Sequence, residues 1–185
     1  KNEADWKLWF ENYKEFILYY AHLAETQQIP LLCIGTELEK TSHREKEWRH
    51  IIAEVRAVYQ GKLTYAANFT EYQSVKFWDA LDYIGIQAYF PLIEQDLEPR
   101  LDQLITGWEK VMPAIEEVNK SFQKPVLFTE LGYCNTEDAA KFPWIWPSER
   151  QEENLSERVQ ALCYEAFFQA VWQKQWLQGV YFWKW

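Results

Sequence analysis

Cysteine, histidine, glycine and positive charge are all in short supply in this chain. The three cysteines, Cys33, Cys134 and Cys163, are odd in number and widely spaced, which fits neither a disulfide framework nor a zinc site. His22, His43 and His50 fall in helix-like stretches without ligand-type grouping, so neither a metal nor another cofactor is called for. With a formal net charge of −9, the chain lacks the Lys/Arg clusters that phosphate binding needs. Nucleic acid is excluded as a partner on that ground, and so is an anionic membrane surface. No apolar run approaches the roughly 18 residues of a membrane span. Nor is there a Gly-x-Gly-x-x-Gly or phosphate-loop motif, which weakens any nucleotide-binding reading.

Aromatic residues, in contrast, are abundant. Trp, Tyr and Phe each occur 11 times and together make 18% of 185 residues. The length suits one domain with a sizeable core. So many rings exceed the usual need of such a core. They either stack on sugars in a carbohydrate cleft or fill space between helices and a sheet.

Apolar residues at Trp6, Trp9, Phe10, Tyr13, Phe16, Ile17, Tyr20 and Ala24 predict a helix over about Asp5–Gln27. Pro30 and the β-rich run Leu31–Glu37 follow. Ser42 and Glu45 have capping-box spacing ahead of a second helix through Trp48, Ile51, Ile52, Val55 and Val58, stopped by Gly61. Leu63–Asn68 reads as a strand, Ser74–Leu81 as a short helix and Tyr83–Tyr89 as a strand. A helix over about Leu97–Phe122 contains Pro113, expected to kink or interrupt it. Pro125–Leu131 is the next strand, followed by a long loop over Gly132–Glu153. A last helix is capped by Asn154 or Ser156, and Gly179–Trp185 closes as a strand.

Strands alternating with helices at this spacing form an α/β fold with right-handed crossovers and a parallel sheet. Near-continuous apolar strands agree, because parallel strands are covered on both faces. An open doubly wound sheet and a (β/α)₈ TIM barrel both satisfy the pattern. Five strands cannot close an eight-stranded barrel. On the barrel reading, residues 1–185 are the C-terminal part of a single (β/α)₈ catalytic domain, covering about five strands and their helices. The N-terminal part of the same barrel is then an expected partner.

Two of these strands end in Thr-Glu-Leu: Leu31-Leu32-Cys33-Ile34-Gly35-Thr36-Glu37-Leu38 and Pro125-Val126-Leu127-Phe128-Thr129-Glu130-Leu131-Gly132. A carboxylate at the exit of a buried strand is costly to desolvate without compensation. Two of them on one parallel sheet point to paired carboxylates facing a common cleft, the minimum equipment for cutting a glycosidic bond. Barrel chemistry stands at the C-terminal ends of strands. Here those ends carry Glu37, Asn68, Tyr89, Glu130 and Trp183: an acid pair, an amide, a phenol and an indole.

Glutamates at the ends of strands four and seven resemble the signature of clan A glycoside hydrolases. Within that clan, Ile34-Gly35-Thr36-Glu37-Leu38-Glu39, Tyr65-Ala66-Ala67-Asn68, Asp82 through Pro91 and Phe128-Thr129-Glu130-Leu131-Gly132-Tyr133 are similar to family 113, known for β-mannanases. The resemblance implies Glu37 as general acid/base and Glu130 as nucleophile of a retaining enzyme acting on β-1,4-mannan or a related β-glycan. It further implies that Tyr89 holds Glu130, Trp183 floors the −1 subsite, and Asn68 contacts a hydroxyl or orients Glu37. The clan usually places Asn directly before the acid/base; Thr36 stands there and is expected to make the altered substrate contact.

Trp144 and Trp146, between Pro143 and Pro147, are expected as sugar platforms or a packed lid overhanging the cleft. Glu39 and Glu71 are expected to be solvated near the mouth. The plain rivals are structural ion pairs at the glutamates, a non-catalytic carbohydrate-binding barrel, and an open-sheet enzyme of other chemistry.

Overall fold

The computed structural model describes residues 2–94, 98–145 and 155–183. Helix α1 (Glu3–Thr26) starts at Asn2, whose side chain accepts from the Asp5 N–H at 2.9 Å while Asp5 accepts from the Asn2 N–H at 3.1 Å. This reciprocal cap satisfies two donors that a helix start leaves open. Strand β1 (Leu31–Thr36) follows, then a one-turn helix α2 (Glu39–Ser42) and helix α3 (Glu45–Val58). Strands β2 (Lys62–Asn68) and β3 (Ile84–Gln87) come next, then α4 (Leu101–Phe122), β4 (Val126–Leu131), α5 (Glu157–Ala170) and β5 (Leu177–Phe182).

Four expectations need correction. Ser42 does not cap α3, because its hydroxyl donates to the Glu39 carbonyl at 3.0 Å inside α2, and Arg44 takes the cap position without a side-chain cap bond. Ser74–Leu81 is not a helix; turns lead into a single 3₁₀ turn at Trp78–Ala80. β3 stops at Gln87, so Tyr89 stands on the loop beyond it. Pro113 does not interrupt α4, which runs continuously and forfeits the one hydrogen bond that residue 113 would have donated. Ser156 is the cap of α5, accepting from the Val159 N–H at 3.3 Å. Asn154 lies outside the described residues.

All four strand pairs are parallel, in the order β1-β2-β3-β4-β5. A doubly wound sheet reverses its strand order at a switch point. A sequential order without reversal winds in one sense, as a (β/α)₈ barrel does, and the five strands match the C-terminal part of such a barrel.

The core between sheet and helices absorbs much of the aromatic excess. Trp48 of α3 stacks on Phe77 with ring centres 5.4 Å apart, and Trp108 of α4 stacks on Phe128 of β4 at 6.0 Å. Both tryptophans are fully buried. Large apolar side chains are also left exposed at the two ends of the sheet: Leu8, Phe16, Tyr19 and Leu23 on α1, and Phe168, Trp172, Tyr181 and Phe182 near β5.

Candidate active site

The strands that carry the two glutamates share one irregularity. In β4, Phe128 pairs with Ile86 of β3, but the next pair is Glu130 with Gln87, so β4 has one residue more than its neighbour. In β1, Cys33 pairs with Thr64 and Thr36 with Ala66, again one residue more than β2. An extra residue reverses which face the following side chain joins. Phe128 packs on Trp108 toward the helices. Without the bulge Glu130 would share that face; with it, Glu130 joins the face of Gln87 and turns into the cleft.

There, both carboxylate oxygens of Glu130 are held. Gln87 Nε2 donates to Oε1 at 2.7 Å, and the Tyr89 hydroxyl donates to Oε2 at 2.7 Å. Burial, then the hydrogen bond to Glu130, pushes the Tyr89 hydroxyl far above the usual tyrosine range, so it remains a donor at any working pH.

Glu37 follows the β1 bulge with φ 51°, in the left-handed region. For a non-glycine residue this costs about 1–3 kcal/mol and persists only where surroundings impose it. Its N–H donates to the Ala66 carbonyl at 3.0 Å, which continues the β1–β2 ladder. Its carboxylate Oε1 accepts from Asn68 Nδ2 at 2.9 Å. The side chain is otherwise open to solvent.

Glu37, Asn68, Tyr89, Glu130, Trp144 and Trp183 line one cleft of about 370 Å³. Trp183 is 46% exposed, and its carbonyl lies where a Cβ on residue 132 would come within 2.1 Å, so only glycine fits at Gly132. Trp144, 42% exposed, stacks on Phe69 with ring centres 5.4 Å apart. Thr36 is exposed at the end of β1, 3.8 Å from Cys33 Sγ, and is not among the described residues that line the cleft. Trp146 lies outside the described residues.

Sequence reasoning missed several members. Gln87 is a buried amide on an otherwise apolar strand, a warning that could have been read from its neighbours. Gln160 reaches the cleft from α5 and donates to the Tyr133 carbonyl at 2.7 Å. Glu71 was expected to be solvated but is 1% exposed, with its carboxylate under Asn68; tertiary packing of Tyr65 creates that burial. Among the described residues, no group of three His, Cys, Asp or Glu side chains gathers as a metal would require.

A sequentially wound parallel sheet with acidic residues at the ends of its first and fourth strands defines part of a (β/α)₈-barrel protein with a carboxylate-lined cleft. The chain belongs to Glycoside Hydrolase Family 113, whose profile matches residues 1–185. It is similar to a family 113 β-mannanase from Alicyclobacillus acidocaldarius solved in complex with ManMIm, at 32% identity and a TM-score of 0.83, with 97% of this chain and 52% of that chain covered. A second structure, of a family 113 β-1,4-mannanase in complex, gives 32% identity, a TM-score of 0.84, and coverage of 97% and 53%. The chain thus spans about half the length of these relatives. A Faecalibacterium prausnitzii β-glucuronidase, at 16% identity, a TM-score of 0.67, and coverage of 95% of this chain and 28% of that one, shares the fold. No curated protein matches the chain.

Proposed function

We propose that this chain carries the two catalytic glutamates of a retaining glycoside hydrolase acting on β-1,4-mannan or a related β-glycan. The observation that carries the reading is the unequal treatment of two carboxylates on one cleft. Glu130 has both oxygens fixed by donors, from Gln87 and Tyr89, while Glu37 is exposed and holds one amide contact. A nucleophile needs a fixed line of attack; an acid/base needs an oxygen free to meet first the leaving group and then water.

In the first step a Glu130 oxygen attacks the anomeric carbon as the glycosidic C–O bond breaks, and Glu37 gives its proton to the departing oxygen. A glycosyl ester of Glu130 results. In the second step Glu37 takes a proton from water, the water oxygen bonds to the anomeric carbon, and Glu130 departs as carboxylate. Two inversions give retention. Trp183 serves as the floor of the −1 subsite, with Trp144 as a second platform lining the same cleft. The same reading takes residues 1–185 as the C-terminal part of one catalytic barrel, completed by an N-terminal part that pairs with the outer edges of β1 and β5.

The test uses the full-length protein and β-1,4-linked manno-oligosaccharides. Glu130→Gln is expected to lower turnover by roughly 10⁴-fold or more while the melting transition is kept. Glu37→Ala given azide and a 2,4-dinitrophenyl β-mannobioside, whose leaving group needs no proton, is expected to release a glycosyl azide of retained configuration. Wild-type protein that binds the oligosaccharides tightly without product over long incubation would replace this reading with the carbohydrate-binding barrel.

A further inference from the structure

Glu71 lies in the turn that leaves β2, outside the cleft lining, yet two chains of hydrogen bonds run from its buried carboxylate, one to the Glu37 side chain and one to the backbone just after it. The first is through Tyr65. The Tyr65 hydroxyl donates to Glu71 Oε1 at 2.8 Å and accepts from the Leu38 N–H at 2.9 Å, one residue beyond Glu37. The second is through Asn68. The Asn68 N–H donates to Glu71 Oε2 at 3.2 Å, and the Asn68 amide then donates to Glu37 Oε1 at 2.9 Å.

The orientation of that amide is fixed as well. Asn68 Oδ1 accepts from both the N–H and the hydroxyl of Thr70, at 3.2 and 3.1 Å, which leaves Nδ2 directed at Glu37. The Glu71 N–H donates to the Asn68 carbonyl at 2.8 Å and closes the turn. Gly35 completes the arrangement: a Cβ there would come within 3.0 Å of the Tyr65 ring, so its absence lets Tyr65 pass beneath the Glu37 loop.

We propose that Glu71 is a positioning residue for Glu37, acting through Tyr65 to hold the left-handed backbone and through Asn68 to hold the carboxylate. This rests on Glu37 being the acid/base. The need for such a support follows from the two features already noted. Glu37 is in a backbone conformation that glutamate does not favour, and its side chain stands in solvent, where rotamer freedom would scatter it. A carboxylate suits the task because it offers two acceptor oxygens to two donors on different segments. Burial raises the Glu71 carboxyl above its usual range, opposed by the hydrogen bonds from Tyr65 and Asn68. A buried acid is costly where a neutral side chain would not be, and the donors on its two oxygens lead to the Glu37 side chain and to the Leu38 N–H that follows it.

Glu71→Gln preserves volume but sets an amide nitrogen against one of the two donors, so one arm fails. The test compares kcat/KM in the full-length protein for two aryl β-mannobiosides, one with phenol and one with 2,4-dinitrophenol as leaving group. That constant reports the first bond cleavage. Phenol needs Glu37 to protonate it and dinitrophenol does not, so Glu71→Gln is expected to lose about 10–100-fold on the former and less than about 3-fold on the latter. Tyr65→Phe, which cuts a single arm, is expected to repeat the pattern at smaller size and serves if Glu71→Gln does not fold. Equal losses on both substrates, or none, in whichever variants fold would overturn the proposal, since a general loosening of the fold does not sense the leaving group. Glu37→Ala separates the two levels. If it shows no leaving-group dependence, the acid/base reading itself fails; if it does while Glu71→Gln and Tyr65→Phe do not, only the role of Glu71 falls.

Discussion

At the scale of single residues, the site depends on how few polar atoms are left to choose their own geometry. Glu130 is fixed by Gln87 and Tyr89, Asn68 by Thr70 and Glu71, and Glu37 by Asn68 and its own backbone. Asp82 is the structural counterpart, away from the cleft. Burial raises its carboxyl, but Arg56 at 2.5 Å, the Leu63 N–H at 2.9 Å and Lys62 at 3.0 Å outweigh this and hold it below the usual range. A carboxyl depressed in the folded state contributes stability that is present above its unfolded value of about 3.9 and is lost as pH falls through the folded one. In the full-length protein, Asp82→Asn should therefore cost on the order of 1 kcal/mol at neutral pH, discounted for screening by solvent. That difference should close below about pH 4 in thermal melts across pH. A gap that stays constant down to acid pH would show that the charge is not what Asp82 contributes.

At the scale of elements, the bulges explain both what could be read beforehand and what could not. Glu37 and Glu130 were legible because each ends a run of β-formers in the same Thr-Glu-Leu context, where an acid has no structural excuse. The extra residue in β4 had no signal in the residue pattern, whereas the one in β1 had a single hint in Gly35, because a glycine inside a strand often marks a bulge. Strict alternation would even have put Glu130 on the helix face with Phe128. The run Tyr83–Tyr89 reads as one long strand, yet β3 ends at Gln87 and leaves Tyr89 free to bend back to Glu130. The Ser42 cap failed for a local reason: a serine hydroxyl can serve the carbonyl three residues behind it as readily as the amide ahead. Glu71 was hidden because it sits in a turn, and its burial comes from Tyr65, six residues earlier on the strand that the turn leaves.

At the scale of the molecule, the sheet presents two outer strands, β1 and β5, flanked by exposed apolar side chains on α1 and α5. Open parallel edges beside apolar faces favour association with other chains. Residues 1–185 produced alone should aggregate or show no turnover, and joining them to the remaining part of the barrel should restore a single melting transition together with activity. A monomeric preparation of these residues alone, melting cooperatively, would contradict the reading of the chain as part of one barrel.

The central claim is the double displacement at Glu37 and Glu130, and the stereochemistry of the first product tests it most directly. Proton NMR of the full-length protein acting on a manno-oligosaccharide, recorded before mutarotation, reads the anomer released. The account predicts the β-anomer, with configuration retained. Initial release of the α-anomer would mean a single displacement by water, and the role assigned here to Glu130 would be wrong.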